Sequence, residues 1–317
     1  MSNAGAVRII AVDQPDFIPA LNLALRSPLH PDSSPISEAA DLLTAMREGR
    51  LRLSPAFVHG SHCVVLNVQA AGAAALLLLS TVPPHTSTAG MTECLHRAVE
   101  FARSSECKLL EVLLDPEVAT ESLWHGPLRS SGFHFLTRLV YLFQQNFAKQ
   151  KEPIHPRDVT WVEFGSHSEG LFAAALEQSY AGTMDCPELT GVRSIAEVLA
   201  GHRATGEFDP SLWWVALRGD RPVGVLLLNR LRGGAAEITY LGVAQVARRS
   251  GVADALVARA MELCRQRSVT MLALAVDHRN TPARRLYARW GFQIFQNRAA
   301  WIAACAQVAV GTDVGNS

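Results

Sequence analysis

The chain carries no excess of either charge: 29 Lys and Arg stand against 29 Asp and Glu in 317 residues. Nucleic acid and acidic membrane surfaces are attracted by broad positive fields, and this composition supplies none. No nucleic-acid or membrane partner is therefore expected. Cysteine is sparse and scattered. Cys63, Cys94, Cys107, Cys186, Cys264 and Cys305 form no C-x-x-C pair and lack a histidine at metal-ligand spacing. Neither a disulfide framework nor a metal site is expected from them; reduced thiols in a cytoplasmic protein are. Residues 1–15 lack a basic stretch followed by an apolar one, so no secretory signal is expected. Long apolar runs are missing too. Residues 63–82 come closest, but Asn67, Gln69 and Gly72 interrupt them, whereas a span needs about 20 apolar residues in succession. A strand, a turn near 69–72 and a second strand are expected there.

What is present is apolar residue in quantity. Hydrophobic side chains make up 49% and charged ones 18%, which suits ordinary folded cores rather than disorder. The length suggests two domains. Residues 149–156, with charges and two prolines after an apolar run, form the best linker. That cut defines residues 1–148 and 157–308 as domains, with a tail at 309–317.

The two parts repeat one order of elements. Strands are expected at 56–59, 63–69 and 73–82 in the first, and at 212–217, 222–229 and 235–243 in the second. A loop and an amphipathic helix follow in each, over 92–104 and 253–267. Short strands come next, at 109–114 and 271–276, each ending in Asp (Asp115, Asp277). A second helix then leads to a Gly-Phe pair, Gly132-Phe133 and Gly291-Phe292. The offset between matching points stays near ~160 residues, which reads as an internal duplication.

In the second copy, residues 241–253 run from strand through a glycine-bearing loop into a helix. That geometry presents free backbone N–H groups and the positive helix end to a phosphate. Gly251 permits close approach of the backbone, Ala253 is small, and Arg248 adds a positive charge. By itself the loop is equally compatible with a plain strand–helix turn bearing surface arginines. Its pattern, however, resembles the pyrophosphate-binding motif Arg/Gln-x-x-Gly-x-Gly/Ala of the GCN5-related N-acetyltransferase (GNAT) superfamily, met by Arg248, Gly251 and Ala253 with Leu241 and Val243 upstream. Residues 280–292 resemble the family's second signature, Asn-x-x-Ala-x-x-x-Tyr-x-x-x-Gly-Phe, at Asn280, Ala283, Tyr287, Gly291 and Phe292.

The resemblance implies an α/β fold made of two tandem GNAT-like domains, each a mixed, splayed β-sheet flanked by helices. Acetyl-CoA is implied in the opening of the second, as co-substrate and without a metal. Backbone groups of Leu241, Gly242 and Val243 would meet the pantetheine arm. The amides of Arg249, Ser250, Gly251, Val252 and Ala253 would hold the pyrophosphate, and Asn280 and Ala283 would line the cofactor. Tyr287 corresponds to the family's general acid near the thiol; its plain alternative is a core aromatic. Glu237 sits mid-strand in an apolar run, where a carboxylate is unusual, and alternation puts it on one face with Thr239. The resemblance gives it the role of base through water; otherwise it is a partnered or solvent-facing residue.

The first copy lacks these groups. Ser87 stands for Arg248, Gly90 for Gly251, Thr92 for Ala253, Leu76 for Glu237 and Leu128 for Tyr287. It reads as a degenerate domain that supports the second copy or shapes its cleft, a plan similar to that of the mycothiol synthases. Residues 179–193, with Tyr180, Asp185, Glu188 and Arg193, occupy the acceptor position, where carboxylates suit a cationic amine. His202 is ambiguous, and Trp213 and Trp214 are expected to pack. The function implied is acetyl transfer to a primary amine, of a small molecule, in a ternary complex. Alternatives are a protein or peptide acceptor, or a CoA-binding sensor or scaffold without turnover. Oligomeric state is left open.

Overall fold

The computed structural model describes residues 5–25, 35–147, 158–165 and 167–305. The linker at 149–156 and the tail at 309–317 lie outside the described residues. The first part supplies β1 (Arg8–Ile10), α1 (Phe17–Ala24), α2 (Pro35–Arg47), β2 (Leu51–Leu53), β3 (Ala56–His59), β4 (Cys63–Ala70), β5 (Ala74–Leu79), α3 (Thr88–Arg103), β6 (Leu109–Leu114), α4 (His125–Ser130) and β7 (His134–Gln144). The second supplies β8 (Thr160–Glu163), α5 (Glu169–Tyr180), α6 (Ile195–Ala204), β9 (Trp213–Arg218), β10 (Arg221–Arg230), β11 (Ala235–Val243), α7 (Val252–Gln266), β12 (Met271–Asp277), α8 (Thr281–Arg289) and β13 (Gln293–Ala304). The apolar stretch at 63–82 is thus a strand–turn–strand pair. No helix among the described residues is long and apolar enough to cross a membrane.

One mixed sheet of 13 strands runs through the whole molecule in the order β1-β3-β4-β5-β6-β13-β7-β12-β11-β10-β9-β8, with β2 on β4. Its centre departs from a chain cut into two self-contained domains. β13, from the second part, lies between β6 and β7 of the first, and β7 lies between β13 and β12. Each part has therefore lent its last strand to the other. The cores follow this exchange: Trp301, Ala303 and Cys305 pack with α3 and β6, while Val140 and Leu142 pack with α7 and β12. Burying a large apolar side chain contributes roughly 1.5–3 kcal/mol, so each half depends on the strand of the other. A linear boundary near residue 150 separates the repeats but not the packed cores.

The sheet is covered on both sides. α3 and α4 cover one face of the first part, and α7 and α8 the corresponding face of the second. α1 and α2 lie on the opposite face of β3 to β5, and α5 and α6 on the opposite face of β9 to β11. Trp213 is wholly buried there, its indole N–H donating to Asn229 Oδ1 at 2.8 Å. Trp214 lies under the Arg259 guanidinium, 3.7 Å from the ring centre, so both tryptophans pack as expected.

Candidate functional site

β11 and β12 run parallel but pair only at their starts, Ala235 with Met271, Ala236 with Leu272 and Glu237 with Ala273. Beyond Glu237 the strands part, and the edge of β11 that faces β12 is open. A bulge sits at the parting. Leu227 pairs with Tyr240 but Leu228 with Ile238, which leaves Thr239 as the extra residue on β11. The bulge breaks the expected alternation: Glu237 shares its sheet face with Tyr240 instead of Thr239. The Thr239 hydroxyl turns to Leu227 O at 3.3 Å.

Past the open edge the chain turns into α7. Gly251 is its N-cap with φ +85°, and Arg249 has φ +61°, so two left-handed residues curl the loop around the helix start. The backbone amides of residues 249–254 donate to no acceptor among the described residues. A concave run of free N–H groups at a positive helix end fits a diphosphate. In this respect the residues present suit the phosphate end of acetyl-CoA. Val243 O accepts from Arg248 Nε at 3.3 Å, while Leu241 and Gly242 remain on the open strand.

Arg248, expected beside the phosphates, has its guanidinium on backbone carbonyls. Its guanidinium donates to Ser179 O (3.2 Å), Ala181 O (2.7 Å) and Gly182 O (2.7 Å), in addition to Val243 O. These carbonyls close the C-terminal end of α5, where orphan acceptors and the negative helix end favour a cation. Arg248 thus ties the end of α5 to the loop before α7.

The first copy shows why the same loop no longer forms a cradle. Helix α3 begins at Thr88, a turn earlier than expected, because the Ser87 hydroxyl accepts the Gly90 N–H at 3.3 Å. Gly90 is therefore helical, not a loop residue. A Cβ there would fall 2.4 Å from the His59 ring, which lies against the helix start. A capping hydroxyl and an imidazole occupy the space that the second copy leaves open.

α8 closes the far side of the opening. Asn280 caps it, Oδ1 accepting the Ala283 N–H at 3.2 Å, so this side chain serves the helix while the helix start faces the cleft. Tyr287 is 6% exposed and packs on Phe292, with ring centres 5.4 Å apart. Its hydroxyl has no hydrogen-bond partner among the described residues. Burial, helped by the negative charge of Asp185, pushes the phenol above its ordinary range, which keeps it protonated at neutral pH.

The segment between α5 and α6, where the acceptor is expected, is held by the end of β12. Asp185 Oδ1 accepts the Asp277 N–H (2.7 Å), and Asp277 Oδ2 accepts the Cys186 N–H (3.2 Å). Arg279 joins Asp277 to Glu188, with contacts of 2.6 Å to each. Asp185 and Glu188, expected as attractors for an amine, are thus engaged in fixing the segment. Burial raises the Asp185 carboxyl above its ordinary value. Tyr180 stacks edge-on against Tyr240 at 5.5 Å, and burial pushes it up to about 12. His202 lies 5.6 Å from the same ring; burial, reinforced by the Arg193 charge, lowers it to about 4 and makes it neutral at pH 7.

Two contributors escaped the sequence pattern. Tyr141, on the exchanged strand β7, feels the charges of Glu111 and Glu237 together, and burial drives its phenol upward. Glu111, on β6, is raised by burial and opposed by Arg193. A carboxylate in the run Leu109–Leu114 was the one available signal of a role for the first copy, and it is the same signal that singled out Glu237.

Comparison with known proteins agrees with this geometry. Residues 185–292 match the model of the Acetyltransferase (GNAT) family. Among solved structures, a GCN5-related N-acetyltransferase from Sphaerobacter thermophilus superposes with TM-score 0.67 at 17% identity, covering 97% of this chain and 98% of that one. A tandem GNAT protein from the clavulanic acid biosynthesis pathway gives 0.60 at 14% identity, over 95% and 99%. A GCN5-related glucosamine N-acetyltransferase region of a fungal multi-domain β-N-acetylglucosaminidase gives 0.63 at 15%, over 94% of this chain and 38% of that protein. At these identities the likeness is one of fold. A search of curated proteins finds no match to the sequence.

Proposed function

From the match of residues 185–292 to the model of the Acetyltransferase (GNAT) family, we infer that this chain transfers the acetyl group of acetyl-CoA to a primary amine of a small molecule, by direct attack in a ternary complex. The observation that carries the reading is the parting of β11 and β12 beyond Glu237, with the free amides of 249–254 at one end and the Tyr287 phenol beside it. Acetyl-CoA supplies an activated thioester; the protein's task is to place it, deprotonate the amine and protonate the departing thiolate.

The open edge of β11 and the amides of residues 249–253 bind and orient the co-substrate, and the loop places its thioester near Tyr287. Tyr287 holds a proton that its buried position makes unavailable to solvent base, and delivers it to the thiolate. Glu237, at the mouth of the split, takes the amine proton through water. Direct attack needs both substrates bound at once, and the acceptor segment tied to Asp277 supplies the second binding wall. Tyr180, Tyr240 and His202 pack together on the sheet face that Glu237 shares, where a small acceptor would meet them.

The test is release of CoA thiol from acetyl-CoA across a panel of small amines and N-terminal peptides. Turnover with small amines supports the reading. Binding of acetyl-CoA without thiol release above background for any amine would replace it with the sensor alternative.

A further inference from the structure

Cys63, Cys94, Cys107 and Cys305 lie buried in the one core that α3 covers. They sit as two thiol pairs, Cys63 hydrogen-bonded to Cys94 and Cys107 to Cys305. The first pair belongs wholly to the first repeat, between β4 and α3. The second joins the repeats, because Cys107 leads into β6 and Cys305 follows the lent strand β13. Its geometry follows from the sheet. Ala304 pairs with Leu109, and the Cys305 N–H donates to Lys108 O at 3.0 Å. Cys107 is therefore the diagonal neighbour of Cys305, one residue beyond Lys108. A strand spacing of about 4.8 Å and a rise of about 3.4 Å put the two Cα atoms about 6 Å apart. Disulfides span roughly 4.4–6.8 Å between Cα atoms. Diagonal neighbours ordinarily point to opposite faces, but here the alternation is broken. Glu106 has φ +57°, and the Lys108 side chain turns away to Glu197 at 2.6 Å. Cys107 is left in the core, its Sγ donating to Leu109 O at 3.0 Å beside the Cys305 thiol.

We propose that Cys107 and Cys305 close a reversible disulfide that fastens the lent strand β13 to the first repeat. The oxidant is a peroxide. The Cys107 thiolate attacks one peroxide oxygen, the O–O bond breaks, and the released hydroxide takes a proton to leave as water. The Cys305 sulfur then attacks the sulfenic acid formed on Cys107. The S–O bond breaks, the S–S bond forms, and the Cys305 proton leaves with the second water. The pair loses two electrons and the peroxide gains them; a thiol reductant reverses the change. The two thiols differ in the way these roles require. The Cys305 hydrogen bond lowers Cys107 against the effect of burial, and the Arg193 charge helps, so the attacking thiolate forms there. The same hydrogen bond and burial raise Cys305, which keeps its proton until it resolves the sulfenic acid. Cys107 and Cys305 are 5% and 4% exposed and lie at strand ends, where fraying admits a small oxidant. Cys63 and Cys94 are each 0% exposed between strand and helix, and the Cys63 hydrogen bond with burial raises Cys94. Once closed, the link holds the end of β13 in the core it shares with α3 and β6.

In the experiment the full chain is treated with hydrogen peroxide, quenched with an alkylating agent and digested without reductant. Mass spectrometry should find the peptides of Cys107 and Cys305 joined, and dithiothreitol should separate them. Thiol titration in denaturant should fall from six per chain to four, the loss of one pair. The thermal midpoint should rise by about 5–10 °C on oxidation and return on reduction. Cys107→Ser and Cys305→Ser should each lose both the link and the rise. Six surviving thiols in wild type, or links confined to other cysteines, overturn the proposal. A link that leaves the midpoint unchanged also overturns it, since β13 is then not fastened. So does a rise of the same size in both serine variants. Folding of each variant is read from its far-ultraviolet spectrum. If a serine variant does not fold, the alanine variant replaces it; if that fails too, the wild-type peptide map and midpoint decide.

Discussion

Thr137 Oγ1 donates a 2.7 Å hydrogen bond to Asp277 Oδ1, joining the exchanged strand of the first repeat to the strand end that anchors the acceptor segment of the second. A counterpart lies across the molecular centre, where Gln296 Nε2 on β13 donates to Asp115 Oδ2 at 3.2 Å. Each lent strand thus ties the terminal aspartate of the repeat that receives it. Asp277 is fully buried, and although desolvation opposes its charge, donors from Arg279, Thr137 and Cys186 hold it down at about 2. It is a fixed anion on which the second repeat's cleft is built.

Removing Thr137's hydroxyl tests this tie. Thr137→Val keeps shape but withdraws one donor from a buried carboxylate, and hydrogen bonds to charged groups contribute about 1.5–3 kcal/mol. Urea unfolding should show destabilisation of that order. The acceptor KM should rise because the segment's anchor loosens, while the acetyl-CoA dissociation constant, set by the distant loop, stays the same.

Tyr287→Phe removes only the proton donor and preserves the packing on Phe292. General acid catalysis contributes about 10²–10⁴-fold, so kcat should drop by about 100-fold or more with the acetyl-CoA dissociation constant unchanged. Unaltered turnover under saturating acetyl-CoA removes the residue from the acid role.

The clasp made by Arg248 predicts a pattern that a phosphate ligand does not. Arg248→Ala frees the end of α5 and should raise the acceptor KM more than it weakens acetyl-CoA binding. Arg248→Lys should rescue poorly, since a single ammonium cannot span carbonyls of Ser179, Ala181, Gly182 and Val243 together. A loss confined to acetyl-CoA affinity, restored by lysine, returns Arg248 to the phosphate.

His202 predicts a pH dependence. Its folded value is near 4, below its ordinary 6.5, because burial and Arg193 disfavour the imidazolium. Between those values the unfolded chain binds more protons, so stability rises with pH across the window, by up to about 1.4 kcal/mol per unit. Above 6.5 the contribution is flat. Chemical denaturation at intervals from pH 4.5 to 7.5 should show the slope in wild type and a shallower one in His202→Gln.

Much of this was legible in the sequence where local spacing carries the physics. The apolar runs and turns gave the three successive strands and the strand after the helix in each repeat to within three residues, but not β1, β2, β8 or β13. The free amides follow from a glycine before a helix that lacks a side-chain cap, a combination visible at residues 248–253 and altered at 87–92 by a capping serine. Less legible was which partner a side chain finds among groups remote in sequence. Arg248 sits at the motif position, but which acceptors its guanidinium finds depends on where the end of α5 comes to rest. Glu237 was singled out, whereas Thr239 was put on the wrong face because a bulge depends on the neighbouring strand. Glu111 lay unnoticed in the first repeat because its setting is completed by β13, from the opposite end of the chain.

The sequence by itself determined that one α/β unit occurs twice and that the second copy alone keeps the glycine loop, Glu237 and Tyr287, because periodicity and motif spacing are local properties of the chain. Only the tertiary structure decided that the repeats exchange their last strands and share a single sheet. Strand pairing is set by long-range backbone hydrogen bonds and core burial, which no short window encodes. That exchange makes each repeat's core depend on a strand of the other.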